Sequence, residues 1–362
     1  DEQGDQVFSE LRGSGTAVMS ASLPEGQRRA ADAVPETWPR GALSPPSGQD
    51  AAMGSFLHRS ADAIEASFVQ AGCDVALHVL DLDTGAEVAI HPDRAVVLAS
   101  VFKIFVALEF YAQVAAGRLD PAERLDLNPA ELTAGPTGVS SFSDPVRMSL
   151  RDLARQMMSV SDNAATDLLL ARVGRDRINA RLHACGCLET VVECDLATMF
   201  DEMAIEIGFA DYAELAAARA GGLGADALAR SNDRALVDRA TAFDPTRTNR
   251  STPRDMTRLL RAAWRDEAAT PDACAALREV MAQQVSTRLG RNLPDGATIA
   301  AKTGSLTGRV RNEAGVITHA DGRAFAAAVF TRAHAPFEQV AAIEAEIGKG
   351  AAAAIDLLRS MD

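Results

Sequence analysis

Between Phe56 and Ala71 the apolar residues Phe56, Ile64 and Phe68 recur at helical spacing, and then the period changes. Val75-Ala76-Leu77-His78-Val79-Leu80 is almost wholly apolar, which predicts a buried strand. Asp83-Thr84-Gly85 predicts a turn, and Ala86 to Ile90 a second strand. A helix is predicted from Ser100 to about Ala116, with Val101, Ile104, Phe105 and Leu108 on its buried face and Gly117 as its stop. The middle of the chain reads as helical. Ser149-Leu150-Arg151-Asp152 has the form of a capping box and opens a helix carrying Met157 and Met158. Another helix is expected from Ala164 to Val173, and Thr252-Pro253-Arg254-Asp255 and Thr270-Pro271-Asp272 each start a capped helix with Pro at its first position. Strand patterns then return at Ala297 to Thr303, Glu313 to Thr318 and Arg323 to Thr331, the last two joined by the hairpin dipeptide Asp321-Gly322. A helix from about Phe337 to Leu358 closes the chain. This order predicts an α+β fold, one antiparallel sheet built from both chain ends with a helical subdomain inserted. Residues 1–52 carry Pro, Gly, Ser and Gln without a lasting apolar period, and are expected to form a flexible leader with a brief helix around Gln27 to Val34.

Composition narrows the field. At 362 residues and 47% hydrophobic, the chain can build one large core plus a tail, or two average domains. A net charge of -14 argues against a nucleic-acid or anionic-membrane surface. No apolar run approaches the roughly 18 residues of a transmembrane helix. The chain begins with Asp rather than Met and without a signal-peptide pattern, so the expected compartment stays open: secreted or periplasmic if a signal has been removed, otherwise cytoplasmic.

The candidate chemistry lies in three short phrases. Ser100-Val101-Phe102-Lys103 places a hydroxyl and an amine three residues apart, on one helix face. A serine hydroxyl needs an adjacent base to become a nucleophile, and a lysine serves when burial or nearby cations lower its pKa. Lys103 sits among Val101, Phe102, Ile104 and Phe105, an apolar setting for an ammonium. Ser161-Asp162-Asn163 follows at a helix break, where Ser161 can act as a proton shuttle and Asn163 as an amide hydrogen-bonding group, or both as caps. Lys302-Thr303-Gly304 lies on a strand edge, offering a cation, a hydroxyl and a glycine that admits close approach, with Ser305 next. Backbone N–H groups of Ser100 and Ser305 are the expected oxyanion hole.

S-x-x-K, S-D-N and K-T-G in this order resemble the class A β-lactamases and related penicillin-recognising serine hydrolases, from about residue 60 to the C-terminus. The Ser251-Thr252-Pro253 helix start and the Arg311-Asn312-Glu313-Ala314-Gly315-Val316 strand add to the match. The resemblance implies an αβ-sandwich (residues 53–98 and 290–362) beside an all-helical subdomain (99–289), with the site between them. It implies Ser100 as the acylated nucleophile, Lys103 as its base or proton relay and Ser161 as donor to the leaving nitrogen. Asn163 would bind the substrate side-chain amide, and Lys302 with Thr303 its carboxylate. A small-molecule β-lactam, acyl-peptide or ester is the expected partner, with no cofactor and a monomeric chain. D-alanyl-D-alanine peptidase, esterase, acyltransferase and a penicillin-binding protein that stays acylated remain alternatives.

Two features depart from that pattern. The glutamate that activates the deacylating water, in an E-x-x-L-N setting, has no counterpart near Glu193-Cys194-Asp195-Leu196; Glu193, Asp195 and Glu202 are the nearby carboxylates. Residues 200–249 exceed what the family needs, with Ala-rich helical stretches at Asp211 to Ala220 and Ala225 to Ala240, and are expected to form either a cap over the cleft or a surface excursion. His183, Cys185, Cys187 and Cys194 match no standard zinc finger, and no metal is assigned; a bond from Cys185 or Cys187 to Cys194 is the stronger expectation in an exported protein.

Overall fold

A computed structural model describes residues 48–219 and 221–361, with side chains from residue 59 onward except at 234. The expected leader helix at Gln27 to Val34 lies outside the described residues. Helix α1, Gly48–Gln70, begins inside the stretch expected to be leader. Five strands form one antiparallel sheet: β1 (Cys73–Asp81), β2 (Glu87–Ile90), β7 (Thr298–Leu306), β8 (Val310–Thr318) and β9 (Ala324–Ala333), in the spatial order β2-β1-β9-β8-β7. Two short pairs lie outside it, β3 (Val96–Val97) with β6 (Arg250–Ser251) and β4 (Arg124–Leu127) with β5 (Val146–Ser149). Both chain ends feed it, as the apolar pattern predicts. The strands of the C-terminal half run longer than expected. β7 extends through Lys302-Thr303-Gly304 to Leu306, because Leu306 and Val310 pair across a tight turn and prolong the ladder.

The sheet is buried on both faces, and residue alternation decides which core each side chain joins. On β9, Phe325, Ala327 and Val329 join one cluster with Ile64 and Phe68 of α1. Ile343, Ile347 and Ile355 of the closing helix, Val340–Arg359, complete that cluster. Ala326, Ala328 and Phe330 face the other way, into the larger cluster shared with the helices. Those helices are α2 (Lys103–Ala115), α3 (Leu150–Ser159), α4 (Asn163–Val173), α5 (Arg175–Ala184), α10 (Pro253–Trp264) and α11 (Pro271–Met281). Their starts obey local chemistry. Ser149, Thr252 and Thr270 each accept the backbone N–H three residues on, which satisfies an otherwise orphan donor.

The 200–249 excursion folds into α6 (Leu196–Ile207), α7 (Tyr212–Arg219), α8 (Ala225–Ser231) and α9 (Arg234–Arg239). Met199, Met203, Ile207, Phe209, Leu215, Val237 and Phe243 are buried in the larger cluster, so this segment shares the main core. The expected cysteine bond is not formed: Cys185, Cys187 and Cys194 are free thiols, and Cys187 Sγ donates to Asp255 O at 3.3 Å. Burial pushes the Cys194 thiol up to about 12, a setting that keeps it protonated and unreactive. Among the described residues no group of His, Cys, Asp or Glu comes together to hold a metal. A buried chain of Thr257, His78 and Glu87 has relay-like spacing, with 2.6 Å and 3.0 Å between polar atoms. Thr257 is fully buried, so no substrate reaches it and the chain is structural.

Candidate active site

A tight 3-10 turn, Ala99–Phe102, precedes α2 and carries Ser100. The expected helix start is therefore split, and the split matters. At three residues per turn, positions i and i+3 eclipse, which stacks Ser100 over Lys103 more directly than an α-turn would. Ala99 enters this turn at φ 46°, a left-handed conformation unfavourable to a side chain. Neighbours hold it there. Asn312 on β8 donates to Val97 O at 2.8 Å and Leu98 O at 3.3 Å, fixing the residues just before the turn.

Lys103 is 0% exposed. Its Nζ donates to Ser161 O at 2.7 Å and Asn163 Oδ1 at 2.9 Å, and approaches Ser161 Oγ at 3.2 Å. Burial holds its pKa well below the usual lysine range, the Lys302 charge lowers it further, and Asp162 and Asp167 oppose. A lowered pKa favours the neutral amine, the form a proton acceptor requires. Ser161 reaches this geometry only at φ 63°, again left-handed, so its carbonyl and hydroxyl both turn toward Lys103. Asp162 pins the bend, accepting from Val139 N at 2.7 Å and Ala165 N at 3.1 Å.

The opposing edge is β7. Gly304 packs against the Ser100 turn: an added Cβ would lie 2.7 Å from Leu98 O and 3.2 Å from Ser100 N. The glycine therefore admits the Ser100 turn, a reason different from the expected approach of substrate. Lys302 is 0% exposed and its Nζ donates to Thr303 O at 2.9 Å. It is not among the residues lining the cleft, whereas its neighbour Thr303 is. Burial draws Lys302 down to about 7, with Arg288 adding and Glu313 opposing.

Sequence reading missed the supports of this edge. Gln284 Oε1 accepts Thr303 N at 2.6 Å, and Gln284 Nε2 donates to Glu313 Oε1 at 3.0 Å. Glu313 also accepts Arg288 N and Leu289 N, each at 2.6 Å. Burial raises Glu313 against those donors. Arg288 donates to Ser305 Oγ at 2.7 Å and Asn312 O at 2.6 Å. Gln284 and Arg288 lie in a loop without a motif, and only the folded chain brings them under β7.

These edges enclose a cleft of about 420 Å³ whose lining includes Ser100, Ser161, Asn163, Thr303 and Ser305; Lys103 and Lys302 are fully buried and do not line it. The insertion supplies a further wall: Phe200, Met203, Tyr212 and Arg219 all line the same cleft. Asp167 anchors that wall by accepting Leu196 N and Ala197 N, both at 2.9 Å, at the start of α6. Among the described residues no carboxylate lines the cleft. Glu193 pairs with Arg250 at 2.6 Å, Asp195 caps α6 through Thr198 N at 2.7 Å, and Glu202 is exposed.

Comparison with known proteins places this geometry. Residues 59–355 match the model of the family described as the beta-lactamase enzyme family. A protein of Streptomyces cacaoi named beta-lactamase regulatory protein BlaB is 31% identical over 319 residues, covering 84% of this chain and 98% of that protein. The solved β-lactamase of Sphaerobacter thermophilus superposes with a TM-score of 0.62 at 24% identity, over 83% of this chain and 98% of that one. The structure of PBP-A gives 0.60 at 20% identity, over 82% and 95% respectively. These structures share the fold, an α+β sheet with flanking helices. The chain belongs to the β-lactamase enzyme family.

Proposed function

We propose that the protein opens β-lactam rings by forming an acyl-enzyme on Ser100. The Ser100 hydroxyl attacks the lactam carbonyl carbon. Its proton passes to Lys103, the new O–C bond forms, the ring C–N bond breaks, and Ser161 delivers its proton to the departing nitrogen while Lys103 returns the first proton to Ser161. Asn163 presents its carboxamide to the acyl side chain, while Thr303 and Ser305 bind the ring carboxylate above Lys302. The N–H groups of Ser100 and Ser305 take the developing oxyanion. The carrying observation is the fully buried Lys103 amine, 3.2 Å from the Oγ of Ser161, which lines the same cleft as Ser100.

A second reading concerns the fate of the acyl group. No carboxylate lines the cleft among the described residues, so nothing there is placed to activate a deacylating water. A relative is named a β-lactamase regulatory protein, which agrees with an acyl-enzyme that persists. Incubation with a chromogenic cephalosporin, followed by intact mass, tests both readings. One equivalent of adduct on Ser100 with little further turnover is expected. Sustained turnover would retain the acylation step and discard the persistence. Absence of both adduct and colour change would overturn the acylation itself.

A further inference from the structure

We infer that Arg219, supplied by the inserted helices, binds a second anionic group of the substrate: a carboxylate on the acyl side chain, separate from the ring carboxylate assigned to Thr303 and Ser305. This rests on the acylation reading and names the substrate class. Arg219 ends α7 and lines the same cleft as Ser100 and Ser161. Its Nε is buried and has no hydrogen-bond partner, and no carboxylate pairs with the side chain among the described residues. Burial lowers its pKa, with only Tyr212 opposing.

Three other arginines leave a buried nitrogen unbonded, and each differs from Arg219 in partner or place: Arg309 and Arg359 keep a carboxylate through another nitrogen, Asp238 and Asp321 respectively, and Arg311 does not line the cleft. Within the insertion, Arg230 lies over the Phe209 ring at 4.8 Å and Arg247 approaches Glu206 at 4.0 Å. In a chain with 50 acidic against 36 basic residues, an unpaired guanidinium facing the nucleophile's cleft is an exception that a ligand anion would resolve. The neighbouring wall says what carries that anion. Phe200 and Tyr212 stack at 4.7 Å between ring centres, and with Met203 they present an apolar face beside Arg219. An aromatic or aliphatic acyl group ending in a carboxylate matches both features, whereas a neutral side chain leaves the guanidinium unpaired.

Benzylpenicillin and carbenicillin differ by one carboxylate on the same phenylacetyl group, and test the idea directly. Second-order acylation rates for both are measured by intact mass in the wild type, Arg219→Ala and Arg219→Gln, the last keeping side-chain bulk if the first fails to fold. The preference for carbenicillin over benzylpenicillin is expected to fall roughly 10- to 100-fold on losing the guanidinium, the scale of one charge-assisted hydrogen bond. Arg219→Lys is expected to restore part of it. A ratio unchanged within about twofold overturns the proposal. Calorimetric binding of phenylmalonate, which cannot acylate, separates the two layers. If penicillins fail to react but phenylmalonate binding is lost in Arg219→Gln, the anion site stands and the acylation reading falls. Equal binding by wild type and variant, or none by either, overturns the anion site.

Discussion

On the β7 side of the cleft, Thr303 and Ser305 are held by Gln284 and Arg288, which are held in turn by Glu313 and Glu344. On the insertion side, the lining is Phe200, Met203 and Tyr212 with one unpaired guanidinium. The contrast separates two jobs. Reaction requires donors and acceptors fixed before the substrate arrives, because reorganising them during the barrier crossing costs rate. Selection requires only a surface that fits one side chain better than another. The first wall is built from buried, mutually bonded polar groups; the second is an apolar face mounted on the main core.

If that division holds, damage to the two walls should differ in kind. The largest effect is expected from Ser100→Ala, which should abolish the covalent adduct by intact mass. Lys103→Ala should slow acylation by roughly 100-fold or more, the scale of a lost general base. Because burial and Lys302 lower Lys103, wild-type acylation should persist to a pH below the usual lysine range and decline as pH falls further. An adduct forming at the wild-type rate in Lys103→Ala would falsify the base assignment.

Gly304→Ala comes next. Its methyl group would sit 2.7 Å from Leu98 O, so either β7 or the Ser100 turn must move. A stability loss of about 1–3 kcal/mol is expected from overpacking, with a fall in acylation rate larger than the stability loss explains. Urea unfolding paired with acylation kinetics checks it; a wild-type rate would mean the turn tolerates displacement. On the other wall, Leu215→Ala should cost about 2–5 kcal/mol as a cavity under α7. It should change the ranking among β-lactams more than the acylation of any small one, as measured across a penicillin panel. A uniform loss across that panel would erase the distinction between the walls.

The smallest effect concerns Lys302. Its folded pKa is about 7. In the unfolded chain a lysine titrates near ~10.4. Between those values the unfolded state binds the proton and the folded state does not, so this group makes stability rise with pH above about 7. Lys302→Met should flatten that rise by up to about 1.4 kcal/mol per pH unit, read from urea midpoints at mildly alkaline pH. Identical slopes in wild type and variant would mean that Lys302 stays protonated.

Much of the fold was legible because its periods are local. The unbroken apolar run at Val75 to Leu80, the Asp321-Gly322 hairpin and the Thr-Pro helix starts at Thr252 and Thr270 all lie where the structure has a buried strand, a turn and capped helices. The three motifs were legible as phrases. The split of the Ser100 helix into a 3-10 turn was not, because its cause is Asn312 reaching from β8 to Val97 and Leu98. Gln284, Arg288, Asp167 and Arg219 carried no local signal, since each acts on a partner far away in sequence or acts by lacking one.

By itself, then, the chain's order of residues determined the sheet-and-helix plan and which serines and lysines are candidates for chemistry. Periodicity, caps and turn residues act over a few positions and need no partner to be read. Tertiary structure alone decided that Lys103 and Lys302 lose their water, that Ser161 and Ala99 turn left-handed, and that the insertion becomes a wall of the cleft. Desolvation and strain are set by what surrounds a residue, and those surroundings are assembled from distant segments.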